Sequence, residues 1–499
     1  MHPQADTFVV KNSFLSALFK ILSIAGVIFL CARMCLLSLT LTNPLIYCDE
    51  PCYLGGGHFY WLALKGDFKN PVWSEVAAYD HQHLAEYIYG AAMHVRSGKL
   101  ITLPGGMEDW HYGYLAQELT PLLKQQALLN PDDGHIARLR AYVAQEAAKV
   151  HPGKATALTE TDFLTGRFVS LSFGFLLALL IGILTAMGYR HAMAGICASA
   201  IFFLSPLAAT CFTIVMTDSI CFFFVLGTLI ALVYLARELA KNQPWDKKTM
   251  YATAACAVLL ALALSTKLSA IYLLMVIIPV FMLRGKPEHA GPCGKNVFVW
   301  KAGLFMAAGI ICAAICILLN PYFYADPVGR ILKMAHYRSM IMQTQIVVRE
   351  QVRLNNGFER AAAFVMHGIL LDYRFGTAAI MFYLTLWLSG LTFIIRQFQK
   401  EWRAGKPDVF FVIFIWIAAS FLFDMATVQL NWARYYLPSA VATAAIIGSG
   451  CAASLKLIIE YCRSGNFESA FDMAFLRTWA DGPAPAACDK NPGLCNRKM

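Results

Sequence analysis

Two adjacent carboxylates, Asp49 and Glu50, lie between two cysteines in the sequence Tyr-Cys-Asp-Glu-Pro-Cys-Tyr at residues 47–53. They follow the first long apolar run of the chain. Because like charges repel and burial penalises both, such a pair is costly at a membrane surface if it has only a structural role. At a water-facing membrane boundary the same pair could transfer a proton or bind a metal ion. The pair therefore predicts an enzyme site.

Asp80, His81 and His83 form a second ionisable cluster in the same loop. An exposed polar turn on a surface helix is the alternative interpretation of this cluster. For Asp49 the alternative is a cap on a helix that begins at Pro51, although capping does not exclude catalysis. The sequence does not decide whether Cys48 and Cys52 form a disulfide bond, since their spacing suits disulfide geometry only where the loop turns.

The composition indicates that membrane helices position these residues. The chain of 499 residues is 58% hydrophobic and 14% charged, with a mean hydropathy of +0.54, whereas soluble domains carry about 25% charged residues. Its net charge of +10 does not indicate nucleic-acid binding, because Lys and Arg cluster in short loops between apolar runs, as the positive-inside rule predicts. The fold class is therefore an all-α polytopic membrane protein in contact with membrane lipids.

The apolar runs predict about ten transmembrane elements, each near the roughly 20 residues that a crossing needs. They lie at 20–41, 168–187, 192–213, 219–236, 252–283, 298–319, 376–395, 408–426 and 436–457, where 252–283 counts as two. The basic loops near 190, 237–248, 284–295 and 396–406 then share one side, which should be cytoplasmic.

The stretch 252–283 has basic loops on both sides, so both of its ends should face the cytoplasm. It is too short for two full crossings. Two short helices broken near Ser265-Thr266-Lys267 solve this, with Lys267 at the apex in a protein-lined pocket. The alternative is one long tilted helix with a buried Lys, which would place every later loop on the opposite side of the membrane.

The loop 42–166 then faces outward, with helical spacing at 83–97, 114–129 and 135–149 that predicts amphipathic surface helices. The segment 330–366 is outward by the same reasoning but rich in Arg and Lys. Either the topology is wrong there, or these cations bind a phosphate-bearing ligand.

Further ionisable residues lie at the boundaries of apolar runs on the outer side: Arg167, Asp218, Lys267 and Arg434. Arg167 and Arg434 could be ordinary interface anchors, and Asp218 could cap a helix. Lys267 at a helix break needs an anionic partner. Because these groups gather at one face and not at the bilayer midplane, they favour an enzyme over a transporter.

Taken in order, these positions resemble membrane glycosyltransferases of the GT-C fold, in particular the protein O-mannosyltransferase and aminoarabinose-transferase branch. The matching motifs are Asp49-Glu50-x-x-Tyr53, Asp80-His81-Gln82-His83-Leu84, Gly166-Arg167-Phe168-Val169-Ser170, Ser205-Pro206-Leu207 followed by Asp218, Thr266-Lys267, Asn320-Pro321, and Arg434-Tyr435-x-Leu437-Pro438. Gln82-His83 departs from the paired prolines that the family often has. The stretch 97–160 and the tail beyond 460 have no counterpart in the pattern.

The resemblance implies a polyprenyl-phosphate-linked sugar donor and an acceptor hydroxyl on a protein, a glycolipid or a polymer. It implies that Asp49 is the catalytic base with Glu50 beside it, and that Arg167, Lys267 and Arg434 bind the donor phosphate. Asp80, His81, His83 and Asp218 would support the site. Some relatives use a divalent metal, Mg or Mn, for which Asp49, Glu50 and His81 would be ligands; metal-free catalysis is the preferred expectation.

Residues 1–460 are therefore expected to form one GT-C-like domain with a large extracytoplasmic loop at 42–166, and 461–499 a polar, cytoplasmic tail. The expected location is a bacterial inner membrane, with the site facing the periplasm or exterior. Two other functions remain open. A transporter or flippase of lipid-linked saccharides would form no bond, and an assembly subunit would not need Asp49.

Overall fold

The computed structural model describes residues 4–42, 49–74, 78, 82–98, 159–189, 192–241, 246–282, 297–348 and 352–464. Within these ranges the regular secondary structure is helical, apart from one antiparallel bridge between Arg353 and Leu430. Eight of the described helices are long and apolar enough to cross a membrane, and a bent helix pair gives a ninth. The shorter apolar segment Leu268–Met282 adds a tenth element. The predicted all-α polytopic class is confirmed.

The helices are numbered here in chain order. They are α1 Gln4–Leu39, α2 Glu50–Gly55, α3 Gly57–Lys65, α4 Leu84–Ser97, α5 Glu160–Tyr189, α6 Ala192–Leu204, α7 Pro206–Phe212, α8 Thr217–Ala240, α9 Lys247–Leu264, α10 Leu274–Met282, α11 Val297–Leu319, α12 Pro327–Val348, α13 Gly357–Ala363, α14 Thr377–Ala404, α15 Val409–Thr427 and α16 Leu437–Ser464. Short 3-10 helices at Leu268–Leu273 and Ala433–Tyr436 precede α10 and α16, and a π-helix at Phe364–Ile369 follows α13.

The predicted crossing 192–213 is not one straight helix. It bends by 67° between α6 and α7. At the bend the Ser205 hydroxyl accepts a hydrogen bond from the Ala208 backbone N–H at 3.1 Å, and Pro206 begins α7. Ser at the cap and Pro at the first helical position are strong signals for a new helix, and they end the crossing at Leu204.

The predicted break at Ser265–Lys267 is present, but the two arms of the hairpin differ in length. The first arm, α9, begins at Lys247 and is long enough to span a membrane, whereas the second arm, Leu268–Met282, is shorter. Phe281 near the end of the second arm packs against Phe305 of α11, with ring centroids 5.4 Å apart. Phe305 lies roughly 22 Å along its helix from Asn320, which contacts Ser265 at the break. The second arm therefore returns toward the end of the bundle from which α9 starts.

The bundle consequently has two distinct ends. The end at which Asp49, Asp218 and Lys267 lie is called the site end below. At the opposite end Arg237 at the last turn of α8 pairs with Asp408, which precedes α15, at 2.5 Å. α12 follows Asn320 and so also starts at the site end.

Close packing of α14 on α16 depends on two glycines. A Cβ on Gly390 would lie 1.9 Å from the carbonyl oxygen of Ile446, and a Cβ on Gly450 would lie 2.0 Å from that of Leu386. Small residues let membrane helices approach closely, where dispersion contacts hold them together. This pair forms one wall of the bundle beside the site end.

Part of the predicted loop 42–166 lies in the described residues. The helical spacing at 83–97 corresponds to α4, whereas 114–129 and 135–149 lie outside the described residues. Helix α5 begins at Glu160, well before the apolar run predicted at 168, because polar residues extend the helix beyond the membrane-spanning run. The domain limits at 460 and 461 stay a prediction, since residues 465–499 lie outside the described residues.

Candidate active site

Asp49 forms an ion pair with Arg434 at the site end. One guanidinium nitrogen of Arg434 donates to Asp49 Oδ2 at 2.5 Å, and the two side chains are 14% and 27% exposed, respectively. Asp49 occupies the position before α2, but its side chain makes no capping hydrogen bond. The capping alternative for Asp49 is therefore wrong in this structure, and its carboxylate faces a cation in a partly open site.

Asp218 and Lys267 form a second ion pair at the same end. Lys267 Nζ donates to Asp218 Oδ1 at 2.6 Å; the lysine side chain is 30% exposed and the aspartate 3%. Asp218 lies in the first turn of α8, where the helix dipole also favours its negative charge. Lys267 thus has the anionic partner that its place at a helix break requires, and one side of its ammonium group remains open.

The two ion pairs share one aromatic neighbour. Lys267 Nζ lies 6.0 Å from the ring centroid of Tyr435, and the Arg434 guanidinium lies 5.4 Å from the same centroid. Arg434 also lies 5.1 Å from the ring of Trp432. The two cations, which are far apart in sequence, therefore flank a single ring.

Tyr53 responds to both ion pairs. Burial raises the pKa of the Tyr53 hydroxyl well above its ordinary value, the charges of Asp49 and Asp218 add to the rise, and Arg434 opposes it. The hydroxyl therefore stays neutral and can donate a hydrogen bond. Asp49 and Asp218 therefore both lie close enough to the Tyr53 hydroxyl to affect its pKa.

Glu50 and Arg167 form a third pair, which is closed. The Arg167 fork donates two hydrogen bonds of 2.7 Å to the two oxygens of Glu50. Its third bond goes to the carbonyl of Leu41 at 2.9 Å, and the Val215 backbone N–H donates to Glu50 Oε1 at 2.9 Å. Glu50 is fully buried and Arg167 is 3% exposed. This geometry favours a structural pair that joins α1, α2, α5 and the start of α8 over the predicted contact of Arg167 with phosphate.

The segment 82–84 ties the second predicted cluster to the apex of the hairpin. The Leu84 N–H donates to the Ser265 carbonyl at 3.0 Å, and the Leu268 N–H donates to Gln82 Oε1 at 3.2 Å. The His83 N–H donates to Asn320 Oδ1 at 3.1 Å. Gln82, which the sequence singles out only as a departure from the family pattern, thus helps to fix the backbone beside Lys267.

His83 itself is enclosed. Its Nδ1 lies 2.7 Å from Glu86 Oε2, and its ring lies 4.3 Å from that of Phe59. His83 is fully buried, so it supports the segment from inside. Asp80 and His81 lie outside the described residues.

A second histidine, His367, belongs to a group that sequence reasoning missed. Its Nδ1 lies 2.5 Å from Asp372 Oδ1, and its Nε2 lies 2.8 Å from Asn431 Oδ1. Leu371 and Asp372 have φ of 54° and 62°, a left-handed conformation that costs a residue with a Cβ roughly 1–2 kcal/mol. No glycine or turn motif marks these positions, so the sequence carried no signal for them.

Glu50 is poorly placed to serve as a metal ligand, as the metal alternative requires. Both oxygens of Glu50 already accept hydrogen bonds from Arg167, so this carboxylate would have to leave a buried pair to bind a metal. Among the described residues no group of three or more metal-ligating side chains comes together. His81 lies outside the described residues.

Residues 150–319 match the family model of dolichyl-phosphate-mannose-protein mannosyltransferases. The match covers about a third of the chain and includes Arg167, Asp218 and Lys267. It confirms the resemblance to lipid-phosphate-dependent glycosyltransferases that the motifs predict. No curated protein matches the sequence.

Three solved structures are similar to the chain at low identity. ArnT from Cupriavidus metallidurans bound to undecaprenyl phosphate is 12% identical with a TM-score of 0.46, and the match covers 87% of this chain and 65% of that one. AglB from Archaeoglobus fulgidus, in complex with an inhibitory peptide and a dolichol-phosphate, is 13% identical with a TM-score of 0.34, and the match covers 65% of this chain and 42% of that one. The Archaeoglobus fulgidus oligosaccharyltransferase tethered to an acceptor peptide is 12% identical with a TM-score of 0.35, and the match covers 67% of this chain and 44% of that one. The chain thus spans less than two thirds of the length of each.

Proposed function

We propose that the protein is a membrane glycosyltransferase that moves a sugar from a polyprenyl-phosphate donor to an acceptor hydroxyl, with Asp49 as the catalytic base. One observation carries the proposal: two cations, Arg434 and Lys267, flank the Tyr435 ring at the site end, and each faces a carboxylate. Such a site offers fixed positive charge for a leaving phosphate and a base for the incoming hydroxyl. The family match over residues 150–319 supports the same reaction class.

In the proposed reaction the acceptor oxygen attacks C1 of the donor sugar with inversion. The new bond joins C1 to the acceptor oxygen, and the bond from C1 to the phosphate oxygen breaks. The acceptor proton goes to Asp49, and the polyprenyl phosphate leaves with the bonding electron pair. Positioning and electrostatic stabilisation of the leaving group then supply most of the rate.

The proposed donor phosphate lies between Lys267 and Arg434. Because Arg434 pairs with Asp49 in the structure, a phosphate that takes over this guanidinium would release Asp49 to accept a proton. Lys267 can hold a phosphate oxygen while Asp218 stays beside it, since an ammonium group has three donors. Binding of the donor would thus create the free base only when the leaving group is already held.

Glu50 and Arg167 take a different place in this proposal from the one that the resemblance implies. Their closed pair fixes Asp49, the residue that precedes Glu50 in the chain, near α5. A buried Arg with all three of its nitrogens engaged has little left for a ligand. We therefore assign phosphate binding to Lys267 and Arg434 and a supporting role to Arg167, Glu50, Asp218 and His83.

We also propose that the site end faces the periplasm or the exterior of a bacterial inner membrane. The opposite end of the bundle carries the described basic residues Arg237, Lys247 and Arg403, and the positive-inside rule predicts the cytoplasm on that side. Protein, glycolipid and polymer hydroxyls all suit the proposed attack as acceptors.

The test is transfer of radiolabelled sugar from synthetic polyprenyl-phosphate donors, in membranes that carry the wild type or Asp49→Asn. We expect the substitution to lower transfer by about 10²–10⁴-fold, the usual contribution of a general base. Asp326→Asn is the matched control, because this carboxylate lies exposed at the same end and Asn can also accept from the Gly329 N–H. Retained turnover in Asp49→Asn would remove Asp49 as the base.

A second arm of the same experiment measures the dependence on donor concentration in Lys267→Gln. Loss of the ammonium group should raise the KM for the donor by roughly tenfold or more, since charge-assisted bonds to phosphate are among the strongest. An unchanged KM would exclude Lys267 from phosphate binding. If no donor supports transfer in the wild type, lipid translocation becomes the reaction to assay.

A further inference from the structure

His367 links two segments of the chain at the site end. It lies in the π-helix Phe364–Ile369, and its ring stacks on Tyr436 with centroids 5.3 Å apart. Nδ1 lies 2.5 Å from a carboxylate oxygen of Asp372 and Nε2 lies 2.8 Å from Asn431 Oδ1. With the Asn431 amide in this orientation both partner atoms are acceptors, and the doubly protonated ring donates to both at once.

The backbone around this histidine is unusual in two independent ways. π-Helices are rare and occur frequently at functional sites. Directly after it, Leu371 and Asp372 both adopt the left-handed conformation, which disfavours side chains with a Cβ. Strain of this kind persists only where the surrounding structure holds it, and it clusters at sites of function. Here it places the Asp372 carboxylate against the histidine.

The segment that His367 reaches through Asn431 is the one that carries Arg434. Two backbone hydrogen bonds also join this segment, Gln429–Tyr436, to residues 352–354: the Leu354 N–H donates to the Gln429 carbonyl at 3.0 Å, and the Asn431 N–H donates to the Val352 carbonyl. Arg434 follows Asn431 by three residues and reaches Asp49. A lateral shift of the segment would therefore move the guanidinium away from the site.

We propose that His367 is a positioning residue for Arg434: its protonated ring holds Asn431, and through it the Gln429–Tyr436 segment, so that Arg434 points into the site. The role of Arg434 toward a phosphate rests on the proposed function, whereas the hold on the segment does not. His367 touches neither Asp49 nor Lys267 in the described contacts. It acts through the backbone that bears Arg434.

The contact between the His367 ring and Asn431 should depend on pH. Burial lowers the pKa of His367, but the hydrogen bond and charge of Asp372, with a further contribution from Asn431, outweigh burial and raise the pKa above its ordinary value. A raised pKa means that the stabilising contact is complete below the ordinary histidine pKa and is lost as pH rises through the raised one. Asp372 is the charged group that faces the ring, and the charges of Asp424 and Arg360 act on Tyr436, on which the ring stacks.

Hydrogen–deuterium exchange of the backbone amides in residues 429–436 tests the hold without any assay of transfer. His367→Phe keeps a ring against Tyr436 and removes both hydrogen bonds. We expect exchange in this segment to quicken by about tenfold, as loss of one hydrogen bond to a charged group implies. Amide exchange is intrinsically base-catalysed and quickens with pH. In the wild type the exchange rate of this segment should rise with pH more steeply than this intrinsic rate, and in His367→Phe the additional pH dependence should disappear.

Three variants complete the test. Asp372→Asn keeps a residue that tolerates the left-handed backbone and should lose part of the protection. Asn431→Ala breaks the same link from an exposed side chain, so it reports on the hold even if His367→Phe fails to fold. His336→Phe, on the exposed face of α12, is the matched control and should leave exchange unchanged.

Unchanged exchange in both His367→Phe and Asn431→Ala would overturn the proposal. Where transfer is measurable, His367→Phe should raise the KM for the polyprenyl-phosphate donor severalfold and lower kcat as well, because a misplaced Arg434 would bind the donor phosphate less well and stabilise it less as it leaves. An unchanged KM would contradict the positioning role. Absence of transfer in the wild type would refute the proposed function and leave the exchange result standing.

Discussion

At the scale of single residues, three ion pairs at the site end differ in how open they are. Glu50–Arg167 is buried and every nitrogen of the guanidinium is engaged, whereas Asp49–Arg434 and Asp218–Lys267 keep a partly exposed member. A closed pair stabilises one arrangement of the chain, and an open pair can exchange its partner for a ligand. The neighbours Asp49 and Glu50 should therefore respond differently to loss of charge.

Glu50→Gln should destabilise the protein. Removal of one partner leaves the Arg167 charge buried without compensation, which typically costs about 3–5 kcal/mol. Thermal unfolding of the purified protein in detergent would detect this as a clear fall in melting temperature. Glu238→Gln, in a partly exposed pair with Lys241 at the opposite end, should change little, because surface pairs contribute roughly 0–1 kcal/mol. An equal effect of the two substitutions would refute the structural role of Glu50.

At the scale of elements, helix ends and breaks position the chemistry. Asp49 precedes α2, Asp218 begins α8, Lys267 follows α9, and Arg434 precedes α16. A helix end exposes backbone groups and lets the chain turn, so side chains there can meet from several helices at once. This arrangement depends on the helices keeping their spacing along their whole length.

Gly390→Val tests that dependence. The added side chain would collide with the backbone carbonyl of Ile446, which cannot move without α16. Since α16 begins beside Arg434, we expect loss of stability of about 1–3 kcal/mol or more, the usual cost of overpacking, together with a weaker Asp49–Arg434 contact. Gly303→Val is the matched control, because nothing lies within 4 Å of a Cβ at that position in α11. Thermal unfolding of both variants would decide, and equal stability would contradict the packing role.

At the scale of the whole molecule, the two ends of the bundle carry different chemistry. The site end collects three ion pairs, and the opposite end carries the described basic residues Arg237, Lys247 and Arg403. The outward orientation of the site end rests on the charge distribution and remains a proposal. The cationic segment from 330 onward is the exception to the charge rule, and α12 places it at the site end. There Arg330 donates to the Tyr322 carbonyl and lies 4.9 Å from the ring of the same residue, so this cation contributes to local packing.

Labelling of introduced cysteines would test the orientation. Lys69→Cys, exposed after α3, should react with a membrane-impermeant maleimide added from outside. Lys241→Cys, exposed after α8, should react only when the reagent reaches the cytoplasm. The unsubstituted protein is the control that measures labelling of the native cysteines. The reverse pattern would overturn the orientation and the proposed location of the site.

The sequence by itself determined the membrane class, the approximate crossings, the break at Ser265–Lys267 and the motifs that resemble a glycosyltransferase family. These features are local, because hydropathy over one crossing and the residue types at its ends suffice to reveal them. Only the tertiary structure decided which charges meet. Asp49 and Arg434 are separated by most of the chain, and nothing in either neighbourhood predicts that Arg434 faces Asp49 while Arg167 closes on Glu50. The left-handed Leu371 was equally hidden, since long-range packing imposes a conformation that its own side chain disfavours.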